Sequence, residues 1–414
     1  MALFRQLWTC SLYGLCLAEL IFSDGDARVE SGIIYLIIVV LLLRSASREY
    51  SDSLSLMIVI VSIFLFAFPS AAITFLLRID VLPALFAFVL FSDLLLLSRR
   101  LLEVPRNNPR IPISRSSHRN DFHLLITLLT WCAIGGVVFD AAGFFGLLLF
   151  LAPYGASLVL LDRLVAQHPS KRYAAFLVAL FLIVVFLYTQ FQWGGFGRLV
   201  IGGFVLAPVL VANARIDLGI RPIYFIIFAP LALYVAQKSR YGAVEGISEM
   251  FIGSAGHHLQ VTHDVLQRDI EWISDGLGTF ISQYLLLFLN WVPRELWPEK
   301  PIGVGLWSVD TMYGRERMGD EYSQSIGFLG EQYFYLGDLF WVGLFVVLVT
   351  LACLRTAVSR ASYGSVAPVV IFDVNLSSFF WGGCASFGSR FWFMVVPALF
   401  ICWLFHRRSL AAST

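Results

Sequence analysis

The chain has 414 residues and a net charge of +1, with 58% hydrophobic, 15% aromatic and only 14% charged residues. Soluble globular domains carry about 25% charged residues, so this composition argues against an ordinary soluble domain. Repeated apolar runs of roughly 15–23 residues, separated by short polar joints, instead predict an all-α polytopic membrane protein. The six cysteines lie in or beside apolar runs without a CxxC pair, which favours a packing role over disulfides or metal binding.

Nine apolar runs precede residue 238. They predict membrane helices near 7–22, 32–43, 54–77, 81–98, 122–139, 142–161, 173–189, 199–213 and 222–237. With the amino terminus inside, the inside joints hold 14 Arg and Lys residues and the outside joints only three. By the positive-inside rule, the ninth helix therefore delivers the following segment to the extracytoplasmic side.

A polar island follows at 238–338, and it contains 14 of the 28 acidic residues and three of the seven histidines. Within it, Leu259, Leu266, Ile270 and Ile273 fall on one face at helical spacing. This pattern predicts an amphipathic helix that lies on the membrane or caps the bundle; a solvated helix packed on the island's own core is the alternative.

The island also holds one ambiguous apolar segment, LGTFISQYLLLFLNWVP at 277–293. Seventeen helical residues rise about 25 Å, which is short for a hydrocarbon core of roughly 30 Å. Counting basic residues on either side does not decide whether the segment crosses. We expect a re-entrant or surface segment, because the residues that follow it do not resemble the basic loops found on the cytoplasmic side.

Three further helices are predicted near 339–354, 365–380 and 391–405, for about twelve in total. The expected organisation is helices 1–9 in 1–237, a large periplasmic loop region in 238–338, and helices 10–12 with a cytoplasmic tail in 339–414. Alternatively, if 277–293 crosses, half of the island moves to the other side.

Candidate chemistry is concentrated in the island. The histidines His257, His258 and His263 lack the HExxH pattern and an obvious third ligand, so no metal site and no cofactor are expected. A transporter would need ionisable groups within the membrane, for which Glu19, Asp93 and Asp373 are candidates. They are scattered and have no matching basic partner evident in the sequence; alternatively, they pair across helices for structure or lie near helix ends.

Two similar stretches, FQWGGFGR at 191–198 and FFWGGCASFGSR at 379–390, each place an Arg after an aromatic-Trp-Gly-Gly turn. Both fall at predicted outer membrane edges. Trp there is also ordinary interface chemistry, and the glycines also suit a plain turn. Arg198 and Arg390 are nevertheless candidates to bind a lipid-linked phosphate.

Arginines can neutralise a leaving diphosphate, a carboxylate can deprotonate an acceptor hydroxyl, and aromatic faces can stack on sugars. The catalytic candidates on this basis are Arg240, Arg294 and Glu331, with Asp320 and Glu321 in reserve. The further substrate-binding candidates are Tyr241, Trp297, Arg315 and Arg317. Glu331 has a second interpretation, as a charge that stabilises a helix amino terminus.

Three features of the island resemble one family. They are the Arg of SRYG after the ninth helix (Arg240), the LWPEKP element at 296–301, and the loop end SIGFLGEQYFYLG at 325–337. This pattern is similar to that of the Wzy-type polymerases of O-antigen and exopolysaccharide repeat units, which belong to the same broad clan as the O-antigen ligases. The ligases tend to carry a His near the loop's end, and this chain has none between His263 and His406.

The resemblance implies a GT-C-like membrane fold in a bacterial inner membrane, with the active site facing the periplasm. It implies a metal-independent, inverting transfer between undecaprenyl-diphosphate-linked oligosaccharides, with the bilayer as environment and room for a chain-length regulator, and no nucleic-acid partner. A ligase that uses lipid A–core as acceptor, or a transporter of lipid-linked oligosaccharide, are the alternatives.

Overall fold

The computed structural model describes residues 53–74, 79, 81–102, 118–142, 144–191, 204–220, 257–267, 276–294, 296–301, 303–313 and 325–411. The secondary structure of these residues is helical, with no strand among them, and this confirms the predicted all-α class. The predicted helices at 7–22, 32–43 and 222–237 lie outside the described residues.

Six described helices precede the polar island. They are α1 (Ser53–Ala72), α2 (Leu82–Leu102), α3 (His118–Ala142), α4 (Phe144–Gln167), α5 (Lys171–Phe191) and α6 (Leu206–Arg215). Each overlaps a helix predicted from an apolar run. Helix α1 contains a π-helical segment at Ser62–Ala67, followed by Pro69 at the start of its last α-helical stretch.

Six more described helices run from the island to the end of the chain. They are α7 (His257–Leu266), α8 (Gly276–Leu289), α9 (Val304–Tyr313), α10 (Gly327–Leu336), α11 (Phe340–Ala361) and α12 (Ala367–Ala411). Within the described ranges, five helical stretches are long and apolar enough to cross a membrane. These stretches are Ser53–Ala72, Leu82–Arg99, Leu148–Gln167, Gly327–Ala361 and Ala367–Arg408.

Helix α12 is a hairpin of two arms. The backbone leaves helical geometry at Gly382 and Gly383, and Gly383 adopts φ 72°, ψ −161°, a conformation that is essentially restricted to glycine. The ring of Phe372 then lies 5.6 Å from that of Phe391, although a continuous helix would separate them by about 28 Å. We call residues 367–381 α12a, residues 384–411 α12b, and Trp381–Cys384 the tip.

The Trp-Gly-Gly turn therefore separates two helices, where the sequence predicts two separate runs at 365–380 and 391–405. The first arm has 15 residues and rises about 22 Å. Helix α11 has 22 residues and is longer than this arm. The tip of the hairpin therefore lies less far from the base than the far end of α11 does.

The base of the hairpin lies at an end of the bundle rich in ion pairs, which we call the basic end. Three pairs join helices there: Arg163 with Asp121, Arg215 with Asp162, and Arg355 with Asp373. Asp162 also accepts bonds from the Ser365 hydroxyl and the Val366 amide, at 2.8 and 3.1 Å. Charge counting assigns Arg163 and Arg215 to one side of the membrane, and the structure brings both to this end.

The described part of the island packs at the opposite end. Helix α1 starts at Ser53, whose hydroxyl donates to Asp373 at 2.5 Å, and reaches Phe66 about 20 Å later along the helix. Phe66 contacts the rings of His258, Phe328 and Phe380. Helices α7 and α10 and the tip therefore share one level, one helix length away from the Arg355–Asp373 pair.

Helix α7 packs on α10 through its buried residues. His258, Leu259, Val261, Thr262 and Val265 are buried, and the Thr262 hydroxyl donates to the Ile326 carbonyl at 2.7 Å. Helix α7 therefore packs on α10 of the island and also contacts the bundle, since Leu259 belongs to the main apolar cluster and His258 contacts Phe66.

The segment at 277–293 leaves one apolar cluster and the chain returns to the same cluster. Phe280 in α8 and Val304 in α9 both belong to a buried group with Ile326 and Phe334. Helix α8 has 14 residues and rises about 21 Å, less than a hydrocarbon core of roughly 30 Å. Its carboxyl end rests on α12b, where Gly388 allows the carbonyl of Leu286 to approach so closely that a Cβ would overlap it. This geometry favours a re-entrant segment.

Candidate functional site

The candidate site centres on the side chain of Glu331, which contacts the tip of the α12 hairpin. Glu331 lies on α10 and is 1% exposed. Its Oε2 accepts a bond from the amide of Cys384 at 2.8 Å and one from Nε2 of Gln332 at 3.2 Å. Because Cys384 starts α12b, the carboxylate caps the positive end of that helix.

The backbone at the tip makes room for this carboxylate. A Cβ on Gly383 would overlap the Glu331 carboxyl group, so only glycine permits the contact. A second bond joins the same two segments, from the Ser325 hydroxyl to the Trp381 carbonyl. The loop end that starts at Ser325 is therefore fixed on the hairpin at two points on the tip.

Four buried polar atoms around this contact have no hydrogen-bond partner among the residues that the structure describes. They are Oε1 of Glu331, Oε1 of Gln332, the hydroxyl of Tyr335 and Nε1 of Trp381. Roughly 90% or more of buried polar groups in proteins are hydrogen-bonded, and these four of the thirteen exceptions in the described residues lie on α10 and at the tip. Together they comprise two acceptors, one N–H donor and one hydroxyl, which is the complement that a polyhydroxylated ligand such as a sugar requires.

Arg390 lies about two helical turns after the tip, on α12b. Its Nη1 donates to the hydroxyl of Ser378 on α12a at 2.8 Å, so the guanidinium bridges the two arms near the tip. The sequence indicates three separate candidates, which are Glu331, the Trp-Gly-Gly turn and Arg390. The structure brings all three to one end of the hairpin.

Arg294 and Trp297 lie instead in the turn after α8. The guanidinium of Arg294 donates to the carbonyls of Lys300 at 2.7 Å and Pro301 at 3.1 Å, and the residue is exposed. Lys300 in turn donates to the carbonyls of Asn290 and Val292 at the end of α8. The LWPEKP element is thus a folded cap on the carboxyl end of α8, with Trp297 partly exposed.

This cap is held against the returning arm of the hairpin. Asn290 Nδ2 donates to the Ala385 carbonyl at 2.7 Å, and Trp392 Nε1 donates to the Leu287 carbonyl at 2.8 Å. Ala385 directly follows the tip, so the element that contains Arg294 and the site around Glu331 are supported by the same helix.

The remaining candidates fall outside the described residues. They are Arg198, Arg240, Tyr241, Arg315, Arg317, Asp320 and Glu321. In the described ranges no group of three His, Cys, Asp or Glu side chains is arranged to hold a metal ion.

One of the alternatives for the scattered acids is observed. Asp373 pairs across helices with Arg355, which forms two bonds with it, Nε to Oδ1 at 2.8 Å and Nη2 to Oδ2 at 3.3 Å. Both side chains are buried. Arg355 lies 18 residues earlier on a different helix, so spacing within one helix could not reveal the pair.

Sequence reasoning also missed Gln332, Tyr335 and Trp381 as parts of the site. Tyr335 lies four residues after Glu331, a spacing that places both on one helix face and that could have signalled it. Trp381 was noted only as part of the repeated turn.

Comparison of the chain with protein-family models, curated proteins and solved structures finds no significant match.

Proposed function

We propose that this protein is a membrane glycosyltransferase that joins lipid-linked oligosaccharide repeat units into a polymer. The observation that supports this function best is the buried carboxylate of Glu331 on the tip of the hairpin that carries Arg390. An acid and a guanidinium near the positive end of a helix are the groups that transfer from a diphosphate leaving group needs.

In the proposed reaction, the oxygen of a sugar hydroxyl on one lipid-linked unit attacks the anomeric carbon of another. The bond between that carbon and the diphosphate oxygen breaks, and its electron pair leaves with the polyprenyl diphosphate. The hydroxyl proton passes to the carboxylate of Glu331. Attack from the face opposite the leaving group inverts the anomeric centre, and the reaction needs no metal in this scheme.

The other groups have supporting roles in this proposal. Arg390 stabilises the negative charge of the leaving diphosphate, as do Arg240 and Arg198. The unpartnered atoms of Gln332, Tyr335 and Trp381 orient the sugars, whose faces also stack on Trp297 and Tyr241. In this proposal Arg294, Arg315 and Arg317 bind the glycan. The polyprenyl chains remain in the bilayer, and the reaction takes place on the periplasmic side of a bacterial inner membrane.

The test uses a strain that lacks the gene and carries it back as Glu331→Gln or Arg390→Lys. We expect both variants to collapse the chain-length ladder of the surface polysaccharide to single repeat units, with the protein present in the membrane at normal abundance. Glu299→Gln and Arg360→Lys are the matched controls, because both residues are exposed. A normal ladder in Glu331→Gln would contradict the assigned base.

The same strains separate the alternatives. A ligase defect would leave full-length polymer on the polyprenyl carrier and none on lipid A–core. A transporter defect would leave single lipid-linked units on the inner face, out of reach of added periplasmic enzymes. Either result would replace the polymerase proposal.

A further inference from the structure

We infer that the amino terminus of α12b is a binding site for a phosphate or diphosphate group, and that the Glu331 carboxylate occupies this site when no such ligand is bound. This inference rests on the proposed function, because it assigns the donor's diphosphate to the tip and gives Glu331 a second position there.

The helix terminus has the properties of an anion site. Helix α12b comprises residues 384–411, and in general the first amides of a helix have no intrahelical carbonyl to accept them. Such amides and the helix dipole together favour phosphate groups. Among the described contacts, the Glu331 carboxylate takes a bond from one of these amides, that of Cys384. A carboxyl group already accepts a bond where the geometry favours an anion.

The second observation is the state of that carboxylate. Glu331 is 1% exposed and forms no ion pair among the described residues, and its Oε1 has no hydrogen-bond partner there. A buried carboxylate normally requires full hydrogen bonding and a counter-charge. Glu331 therefore fills the site incompletely, and a diphosphate has more oxygen atoms with which to use the remaining amides.

The tip has space for an anionic group because Gly383 has no side chain. Its φ of 72° and the overlap that a Cβ would make with the carboxyl group show that the backbone leaves room for an anionic group at this point. Arg390 on the same arm, which donates to Ser378 on α12a, adds a positive charge to this end of the hairpin.

This arrangement would link donor binding to catalysis. When the diphosphate takes the helix terminus, Glu331 leaves it and both carboxylate oxygens become available to an acceptor hydroxyl beside the leaving group. Without a donor, the base remains bound to the backbone of the tip.

The experiment measures binding of inorganic pyrophosphate to the purified full-length protein in detergent, from the rise of the thermal unfolding midpoint with ligand concentration. The variants are Glu331→Ala and Glu331→Gln; Gln keeps an oxygen that can accept from Cys384. Apparent affinity is the intrinsic affinity multiplied by the fraction of sites that are free, so a tenfold gain corresponds to a site that Glu331 fills about nine-tenths of the time. On this basis we expect pyrophosphate to bind about tenfold more tightly to Glu331→Ala than to the wild type. The gain in Glu331→Gln should be smaller, because its oxygen still accepts from Cys384.

Controls test the same site from other directions. Glu299→Gln should bind pyrophosphate as the wild type does, and sodium chloride at matched ionic strength should give no shift. Arg390→Met, combined with Glu331→Gln, should lose the gain. Unchanged affinity in both Glu331 variants would overturn the inference and leave Glu331 as a helix cap only.

Two further ligands identify the source of the phosphate. Farnesyl diphosphate should compete with pyrophosphate in the Glu331→Gln variant. A response to phosphatidic acid in nanodiscs, without any response to pyrophosphate or farnesyl diphosphate, would mean that the site takes a phospholipid headgroup and would overturn the diphosphate assignment. Tight pyrophosphate binding together with a normal polysaccharide ladder would contradict the proposed transferase and leave the anion site standing, so the two failures are distinguishable.

Discussion

The two ends of the α12 hairpin differ in the partners that they give to a buried carboxylate. At the base, Asp373 is bonded twice by Arg355 and once by Ser53. At the tip, Glu331 receives bonds from the Cys384 amide and the Gln332 side-chain amide and also interacts with the Cys384 thiol. It has no guanidinium partner among the described residues, and its Oε1 has no hydrogen-bond partner there. At the base the acid is paired with a guanidinium, which is typical of a structural contact between helices. At the tip, several buried polar atoms have no hydrogen-bond partner among the described residues.

The rest of the basic end follows the pattern of the base. Asp121 and Asp162 are buried and each is paired with an arginine from another helix. Arg163 also packs its guanidinium 3.8 Å from the ring centre of Phe405. Buried ion pairs are retained when every partner is satisfied, so these acids tie helices together, while the incompletely satisfied carboxylate lies at the site that we assign to chemistry.

The largest expected effect comes from breaking the base. Asp373→Ala leaves the Arg355 guanidinium buried without its counter-charge, and losing one partner of a buried pair costs about 3–5 kcal/mol. Glu331→Ala leaves no buried cation behind and removes only a helix cap, for a loss of about 0.5–2 kcal/mol. Reversible unfolding in mixed detergent micelles measures both free energies.

The control for this comparison removes both charges. Asp373→Leu combined with Arg355→Met should recover most of the stability that Asp373→Ala loses, since no unpaired charge remains. Asp338→Ala, an exposed acid near the end of α10, should leave unfolding unchanged. If Glu331→Ala proved as costly as Asp373→Ala, the distinction between base and tip would be wrong.

Much of the fold could be predicted from the sequence, because apolar runs of membrane length and the position of basic residues are local signals. The six described helices before the island and the two arms of the hairpin follow from them. At the site, the sequence indicates Glu331 and Arg390 through the chemistry of their side chains and the motifs in which they occur.

Their contact with the tip could not be predicted. Glu331 and Cys384 are separated by 53 residues and lie on different helices, and no periodicity reports a contact at that distance. The same holds for Arg355 with Asp373, because the sequence allows Asp373 to pair across helices but does not identify its partner. Arg294 also shows the limit, because its two bonds to backbone carbonyls depend on how the LWPEKP turn folds.

A smaller effect is expected at the turn after α8, which supports the tip through neutral groups. Lys300→Met removes the ammonium that bonds the carbonyls of Asn290 and Val292. We expect a loss of about 1–2 kcal/mol, in the range for a cation at a helix carboxyl end and for a charge-assisted bond.

The loss should appear in the same micellar unfolding measurement and as faster proteolysis within residues 290–301. Lys171→Met, at an exposed position at the start of α5, is the matched control. Equal proteolysis of both variants would mean that the cap on α8 does not hold the turn.

The last prediction changes no stability and asks whether the two ends face opposite sides of a membrane. Single cysteines at Glu299, in the turn after α8, and at Arg408, near the end of α12b, are both at exposed positions. Because α8 leaves and returns to one apolar cluster, we expect a membrane-impermeant maleimide to label Glu299→Cys in intact cells and Arg408→Cys only in opened cells. The parent chain supplies the background from its own cysteines. If α8 crossed the membrane, both positions would be labelled only in opened cells, and the turn that contains Arg294 would lie on the same side as the basic end.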